Sequence, residues 1–245
     1  MLLITTDRDI RYISLPSKEY GLVQSGVSQA HGVAADYEDG FVYWNEKSKD
    51  KAGIYKSMLD GSAFQYVVSV GVEMVEDLAI DWVGRHIYFA DSGRKHIVVC
   101  DFHATICSVV ISGQLDKPRA VAVYPEEGLL FWSDWGSSPH IGSAGMDGSK
   151  RVNIITTDII WPNGLVVDET IQRIYWGDAK LNRIESSRID GSDRKILPVK
   201  LTHPYALDIF ENTIFWCDPL EHEVLSVDKF TGKDYKVFTI LRFKS

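Results

Sequence analysis

The chain has 245 residues, of which 45% are hydrophobic, and no apolar run approaches the roughly 20 residues that a membrane-spanning helix needs. We therefore expect a sizeable core and no direct insertion of this chain into a membrane. The formal net charge of −8 argues against binding to nucleic acid or to anionic lipid, and it suits a basic partner. Three cysteines are too few for a disulfide scaffold.

One four-residue pattern recurs along the chain: two aromatic residues, then a small residue, then an acidic one. It occurs at Tyr43–Glu46, Tyr88–Asp91, Phe131–Asp134, Tyr175–Asp178 and Phe215–Asp218, with steps of 45, 43, 44 and 40 residues. A period in the low forties that carries short strands is typical of a β-propeller, in which each repeat supplies one four-stranded blade.

Each repeat can be divided into four strands in chain order. Small and β-branched residues predict the innermost strand, at 32–36, 77–81, 120–124, 164–168 and 206–210. The aromatic pattern is the second strand, and 54–57, 97–100 and 183–186 are third strands. Asp-Gly-Ser turns at 60–62, 147–149 and 190–192 then predict hairpins into fourth strands such as 64–69 and 195–199. No segment shows sustained helical periodicity, so the chain is predicted to be all-β.

The residues of the recurring pattern are predicted to be structural. The aromatic side chains should fill the wedge between neighbouring blades. The acidic residue should bind the backbone of a neighbouring blade or a basic group, which would hold the ring of blades together.

The cysteines allow two interpretations. The predicted hairpin places Cys100 opposite Cys107 across the third and fourth strands of one repeat, where they form either a cross-strand disulfide or two free thiols. Cys217 lies inside an aromatic pattern and is predicted to be a buried free thiol.

Together, the aromatic patterns, the Asp-Gly-Ser turns, Asp134–Gly136 and Trp161–Gly164 resemble the YWTD propeller, or class B repeat, of the low-density lipoprotein receptor family. The resemblance extends from about residue 2 to residue 238, and the third and fourth repeats are most similar to receptor-related proteins and Wnt co-receptors. It implies a six-bladed propeller in the extracellular part of a membrane receptor at the cell surface or in endosomes, next to EGF-like or ligand-binding modules. It implies no cofactor and no metal.

Six blades and five aromatic patterns are reconciled if one blade is shared between the two chain ends. We predict a single propeller domain over residues 1–245, with a partial closing blade at 1–27 and successive blades at 28–70, 71–115, 116–158, 159–201 and 202–240. In the closing blade, 2–6, 9–15 and 20–25 are predicted as its second, third and fourth strands. The inner strand of this blade is predicted to be missing, which would make the isolated chain poorly stable or prone to recruit a strand.

Two kinds of loop should share one face of the propeller: those that precede the inner strands and those that follow the aromatic patterns. These loops are rich in aromatic residues with Arg and Asn, the composition of a protein-binding hot spot. The candidate ligand-binding residues are His31, Arg119, Trp135, Trp161, Asn163 and Tyr205. His31 and His203 on this face are also candidates for pH-dependent release of cargo, whereas His86 and His103 are expected on the opposite face.

The family resemblance leaves two functions open. The first is a ligand-binding or docking module of an endocytic receptor, which binds protein ligands or assists pH-dependent release of cargo. The second is a Wnt co-receptor-type or laminin-binding matrix propeller, in which the residue matching Asn163 pairs with an asparagine of a bound peptide. Those relatives add a carboxylate cluster, which is replaced here by Ala30, His31 and Gly93, with Asp50 and Glu76 nearby.

An enzyme is not expected. The entrances to the inner strands are predicted to present Ala30, Val75, Pro118, Asn163 and Tyr205, which together form a poor cage for a hard cation. No nucleophile elbow, zinc-protease motif or phosphate-binding loop occurs in the sequence.

Overall fold

The structure is a computed structural model that describes residues 1–15, 17, 19–48 and 50–240. Within these residues 23 strands form six antiparallel sheets, one with three strands and five with four. A 3-10 turn at Pro125–Glu127 joins the first two strands of one sheet. The prediction of an all-β, six-bladed propeller is confirmed, and each sheet is one blade.

The blades are numbered here in chain order. Blade 1 contains β1 (Leu2–Thr5), β2 (Asp9–Ile13) and β3 (Tyr20–Ser25). Blade 2 contains β4 (Ala30–Asp36), β5 (Phe41–Glu46), β6 (Gly53–Met58) and β7 (Gln65–Val68). Blade 3 contains β8 (Val75–Asp81), β9 (His86–Asp91), β10 (His96–Asp101) and β11 (Cys107–Ile111). Blade 4 contains β12 (Pro118–Tyr124), β13 (Leu129–Asp134), β14 (His140–Gly145) and β15 (Val152–Ile155). Blade 5 contains β16 (Pro162–Asp168), β17 (Arg173–Asp178), β18 (Arg183–Arg188) and β19 (Lys195–Ile196), and blade 6 contains β20 (Leu207–Phe210), β21 (Thr213–Asp218), β22 (Glu223–Asp228) and β23 (Lys236–Ile240).

Several predicted strand limits need correction. The inner strands of blades 2 to 5 begin two residues earlier than predicted, at Ala30, Val75, Pro118 and Pro162. The fourth strand of blade 5 is limited to Lys195–Ile196, whereas the prediction extended it to residue 199. Blade 1 has three strands in the order β1-β2-β3 within the described residues, which agrees with the prediction for this blade. Residues 241–245 lie outside the described part of the chain.

The core consists of six hydrophobic clusters, one at each junction between adjacent blades. The two aromatic residues of each pattern point to opposite sides of their blade, because successive side chains of a strand alternate. Tyr43 therefore packs against blade 3, whereas the adjacent Trp44 packs against blade 1. The last cluster joins Leu2 and Ile4 of blade 1 to Phe215 of blade 6 and closes the ring. The predicted packing role of the aromatic residues is confirmed.

The acidic residue of the pattern has a different role from the predicted one. Asp178 is fully buried, and its carboxylate accepts hydrogen bonds from the backbone N–H groups of Ile160 and Trp161, 2.7 and 3.2 Å away. Asp134 binds the N–H groups of Asp116 and Lys117 at 2.7 and 3.0 Å. These partners lie in the segment that leads into the inner strand of the same blade. The acidic residue thus holds this connection in place, rather than binding a neighbouring blade.

The glycine of the Asp-Gly-Ser turn allows close contact between blades. Gly191 has a φ of +85°, and a Cβ atom at this position would lie 2.5 Å from the carbonyl oxygen of Ile154 in the preceding blade. Gly61 and Gly148 have the same positive φ and approach the preceding blade in the same way. Only glycine combines this backbone conformation with so short an approach.

The three cysteines form one disulfide and one free thiol. Cys100 and Cys107 are register partners on β10 and β11, with Cα atoms 4.2 Å apart, and a disulfide joins them. Cys217 is a free thiol, but it is half-buried rather than buried, because it lines the central cavity. Loss of solvation, together with the nearby carboxylate of Asp218, raises the pKa of this thiol to about 11. Within the described residues, no helix is long and apolar enough to cross a membrane.

Candidate functional site

The inner strands enter the propeller through backbone irregularities that repeat from blade to blade. The pairing register shifts between Ala30 and Val33 in β4, and comparable shifts occur at the starts of β8, β12 and β16. The third residue of the aromatic pattern fixes some of them: the Asn45 Oδ1 atom accepts a hydrogen bond of 2.8 Å from the N–H of Gly32. Bulges of this kind re-aim a side chain at the edge of a sheet.

The irregular entrances of blades 2 to 5, with the segment that leads into β20 of blade 6, each place one side chain at the mouth of the central cavity. We call this set the mouth ring; it consists of His31, Glu76, Arg119, Asn163 and Tyr205. The cavity has a volume of about 1100 Å³. Three of the residues predicted at the entrances to the inner strands are therefore wrong by one position, because Ala30, Val75 and Pro118 each lie one residue before the ring residue of their strand.

Glu76 is the acceptor at the centre of the ring. Its Oε2 atom lies 2.5 Å from the Lys47 ammonium and also forms an ion pair with Arg119. Its Oε1 atom accepts a hydrogen bond of 2.8 Å from the Ser92 hydroxyl. Burial favours the protonated acid, but Arg119 and Lys47 outweigh it and lower the pKa of Glu76. The carboxylate is charged and fully engaged.

Arg119 connects Glu76 to the aromatic part of the site. One guanidinium nitrogen pairs with Glu76 and another donates to the hydroxyl of Tyr205. The guanidinium carbon lies 4.7 Å from the centre of the Tyr205 ring and 5.6 Å from that of Trp135. Arg119 is nearly buried, so it positions its neighbours more than it presents a free charge.

The two predicted histidines both pack against Tyr205, at different ring angles. The ring centre of His31 lies 5.8 Å from that of Tyr205 in an edge-on arrangement, and His203 stacks on the same ring at 6.4 Å. Burial, together with Lys47 and Arg119, lowers the pKa of His31 to about 3. His31 therefore stays neutral between pH 5 and 7.

Trp135 and Trp161 form a partly exposed pair beside the mouth ring. Their ring centres are 6.0 Å apart at an angle of 83°, and 38% of Trp161 is exposed. Neither residue lines the central cavity. Asp178 binds the backbone of Trp161, and the N–H of Trp135 donates to the carbonyl of Lys117 at 3.2 Å. The buried acidic residues therefore fix the loops that carry both tryptophans.

Asn163 lies at the cavity mouth with only 6% of its surface exposed. Its side-chain oxygen is buried and has no hydrogen-bond partner within the described residues. A buried amide oxygen without a partner is unfavourable by about 1–3 kcal/mol. A ligand that donates a hydrogen bond here would remove this cost.

All six predicted ligand-binding residues lie on one face, but in two groups. His31, Arg119, Asn163 and Tyr205 belong to the mouth ring, and Trp135 and Trp161 form the adjacent pair. Sequence reasoning placed Glu76 and Lys47 in the loops of this face but did not name them as candidate binding residues. One signal in the sequence could have identified Glu76. It aligns with Asn163, because each of the two residues lies two positions before an apolar residue of its inner strand.

His86 and His103 lie on the opposite face, as expected. His86 and His103 line a second pocket of about 280 Å³ between blades 2 and 3, together with Arg85 and Lys56. The described residues contain no cluster of three or more His, Cys, Asp or Glu side chains arranged to hold a metal ion.

Comparisons with known proteins agree with this geometry. Residues 128–169 match the low-density lipoprotein receptor repeat class B. The chain is 40% identical over 216 residues to vitellogenin receptor Yl of Drosophila melanogaster, covering 88% of this chain and 11% of that protein. It is 33% identical over 243 residues to the vitellogenin receptor of Solenopsis invicta, covering 96% of this chain and 13% of that receptor. The chain thus spans little more than a tenth of the length of these two relatives.

A shorter relative matches over most of its own length. The low-density lipoprotein receptor-related protein 5-like protein of Homo sapiens is 33% identical over 192 residues, covering 78% of this chain and 75% of that protein. A chain in the crystal structure of a nidogen/laminin complex has a TM-score of 0.89 and 25% identity, covering 95% of this chain and 91% of that chain. A putative TolB from Agrobacterium tumefaciens has a TM-score of 0.80 at 12% identity, covering 96% and 90%, and shares the fold. Repeat motifs, blade geometry and these relatives together show that this chain belongs to the low-density lipoprotein receptor family and is a propeller of its class B, or YWTD, repeats.

Proposed function

We propose that this chain is an extracellular, non-enzymatic module of an endocytic lipoprotein-receptor-like protein, and that it binds a protein ligand on the face of the mouth ring. The observation that carries the proposal is the partly exposed Trp135–Trp161 pair, held on loops by the buried carboxylates of Asp134 and Asp178. Accessible aromatic side chains on a rigid scaffold provide binding energy at low entropic cost, because binding does not have to order them.

Two further observations support the location and the receptor role. The disulfide between Cys100 and Cys107 suits an oxidising, extracellular compartment. Two of the relatives that are similar to this chain are named as vitellogenin receptors, which supports a receptor role. We propose that neighbouring modules of the parent protein, EGF-like or ligand-binding, accompany the propeller.

The proposal includes a response to endosomal pH, either in release of cargo or in docking against another module of the receptor. His31 does not supply this response, because its pKa of about 3 keeps it neutral across the endosomal range. This assigns the response to the second histidine candidate, His203, whose ring stacks on Tyr205 with a centre-to-centre distance of 6.4 Å. A change of binding between pH 7.4 and 5.5 that survives in His203→Gln would contradict this assignment.

A second candidate function is recognition of an asparagine-containing peptide, as in a Wnt co-receptor-type or laminin-binding propeller. Its support is the unpaired oxygen of Asn163, which lies at the cavity mouth and could accept a hydrogen bond from a ligand amide. The similarity to a chain of the nidogen/laminin complex is compatible with this function.

Selection from a displayed library of random 12-residue peptides on the immobilised chain tests both functions. Dissociation constants of the enriched peptides are then measured for the wild type and for variants. Trp161→Ala should weaken binding at least about 30-fold, the effect of losing a hot-spot tryptophan. Trp82→Ala is the matched control. Trp82 is 45% exposed, but it directly follows β8, at the end of this strand that is opposite to the mouth ring.

Equal effects of Trp161→Ala and Trp82→Ala would overturn the proposed face. Asn163→Ala separates the two functions. If the asparagine-peptide function holds, this variant should lose only those peptides that share an asparagine. If it affects none of the peptides, the second candidate is wrong.

A further inference from the structure

The pocket between blades 2 and 3 lies on the face opposite to the mouth ring, and we call it the blade 2–3 pocket. Among the residues that line it are Phe41, Tyr43, Lys56, Arg85, Phe102 and His103. Its volume of about 280 Å³ is close to the lower limit for small-molecule sites, which is about 300 Å³. Aromatic rings form its walls: the ring centre of Tyr43 lies 5.4 Å from that of Phe102 and 6.4 Å from that of Phe41. The pocket therefore suits one small ligand with an apolar body.

The wall that carries Phe102 is held in place from two sides. The disulfide between Cys100 and Cys107 closes the turn that contains Phe102. On the other side, the guanidinium carbon of Arg85 lies 4.5 Å from the centre of the Phe102 ring. Because these contacts fix the wall in advance, a ligand would not have to order it on binding.

Lys56 presents a positive charge without an acceptor to this pocket. Only 6% of the residue is exposed, and its ammonium lies 4.5 Å from the ring centre of Phe41 and 5.6 Å from that of Tyr43. Within the described part of the chain, the Lys56 side chain forms no ion pair and no hydrogen bond. A buried charge usually has a counter-ion, because its removal from water is unfavourable. Burial accordingly lowers the pKa of Lys56, although Asp39 and Asp36 oppose this effect.

The carboxylates that line the pocket are engaged with other groups. Asp39 forms an ion pair with Arg85. Asp101 accepts a hydrogen bond of 2.6 Å from the backbone N–H of Thr105 in its own turn. Neither carboxylate forms an ion pair with the Lys56 ammonium, so this charge is open to a ligand.

A hydroxyl group adds a second donor. Tyr43 is buried, and its hydroxyl forms no hydrogen bond with another described residue. Burial, with a smaller contribution from Asp36, raises the pKa of Tyr43, so the hydroxyl keeps its proton. His86 and His103, which also line the pocket, carry no negative charge in either protonation state. A ligand that satisfies these groups must therefore bring an acceptor with negative charge.

We propose that the blade 2–3 pocket binds the carboxylate of a small aromatic acid, with its oxygens on the Lys56 ammonium and the Tyr43 hydroxyl and its ring between the aromatic walls. A monoanion fits better than a phosphate dianion, because Lys56 supplies a single free positive charge and the carboxylates of Asp39 and Asp101 line the same pocket. Two sources share this chemistry: a free aromatic acid, and the C-terminus of a peptide that ends in phenylalanine. The site lies apart from the ligand face, so this inference goes beyond the proposed function and does not depend on it.

The test uses the whole chain and ligand-observed NMR titrations with phenylacetate, phenylacetamide and inorganic phosphate. Phenylacetamide has nearly the same shape as phenylacetate but no charge. Phenylacetate should therefore bind at least about tenfold more tightly, the effect of one hydrogen bond to a charged group. Phosphate should not compete with it. An N-acetylated tripeptide that ends in a phenylalanine carboxylate, compared with the same peptide as its C-terminal amide, separates the two sources of the ligand.

Two variants test the residues assigned to the carboxylate. Lys56→Met keeps the length and the apolar stem of the side chain but removes its charge, and it should weaken phenylacetate binding at least about tenfold. Tyr43→Phe keeps the ring and should weaken binding about two- to tenfold. The matched control is Lys233→Met, which removes the charge of an exposed lysine in blade 6 and should leave the affinity unchanged.

Binding of the free acid, of the peptide carboxylate or of both, lost in Lys56→Met, would support the inference. Equal affinities of the wild type for phenylacetate and phenylacetamide would overturn it, and this comparison does not depend on the folding of a variant. The inference would also fail if no carboxylate showed saturable binding up to about 10 mM. Phosphate binding in place of the carboxylates, or unchanged carboxylate binding in Lys56→Met, would contradict it as well.

Discussion

Replacement of Asp178 by asparagine tests whether the acidic residue of the repeat positions the ligand face. The carboxylate of Asp178 accepts backbone hydrogen bonds from Ile160, Trp161, Lys180 and Leu181, at distances between 2.7 and 3.2 Å. The Asp178→Asn variant would keep the shape of the side chain, but an amide offers one acceptor oxygen and turns an NH₂ group towards N–H donors. About two of the four donors would then lose their acceptor.

The expected cost follows from these contacts. A hydrogen bond to a charged group contributes about 1.5–3 kcal/mol, so the loss of two lowers the free energy of unfolding by about 3–6 kcal/mol. The assay is urea unfolding followed by tryptophan fluorescence and far-ultraviolet circular dichroism. Asp190→Asn is the control, because Asp190 caps an exposed turn through Ser192 alone. If both variants lose the same stability, the acidic residue does not anchor the connection.

Three other changes test the fold and the cavity. Because burial raises the pKa of Asp77 to about 7, this carboxyl group binds more protons in the folded state than in the unfolded state. The free energy of unfolding should therefore fall as the pH rises from about 4 to 7. Asp77→Asn should flatten this pH dependence in urea titrations, and an unchanged slope would contradict the burial argument. Cys100→Ser/Cys107→Ser should lower the free energy of unfolding by about 2–3 kcal/mol, and reductant should destabilise the wild type but not this variant. Gly191→Ala should be about 1–3 kcal/mol less stable than the control variant Gly113→Ala. Gly113 also has a positive φ, but the space at its Cβ position is open. Equal melting temperatures of the two variants would refute the close approach between blades at Gly191.

The repeats made the fold predictable from sequence. The alternation of strand side chains assigns the first aromatic residue of each pattern to the following blade and the second to the preceding one, so both could be recognised as core. The positive φ of Gly191 is encoded by the Asp-Gly-Ser turn that contains it.

The details of the site were less predictable because they depend on contacts between blades. The bulge at His31–Gly32 depends on Asn45 and shifts the ring by one residue, which hydrophobic patterning cannot detect. Lys47 reaches Glu76 of the next blade, and Arg119 reaches the same carboxylate from the other side. Sequence reasoning could place these residues on one face but could not show that they neutralise one another.

Hydrogen–deuterium exchange in the presence of a selected peptide measures the position of the ligand face most directly. The account predicts protection of the backbone amides in the loops around Lys117, Trp135, Trp161 and Lys180, because a ligand there excludes water from these segments. Loops at the opposite ends of the inner strands, such as Trp82–Arg85, should exchange as in the free chain. Protection of the opposite loops, with the tryptophan loops unchanged, would contradict the proposed ligand face.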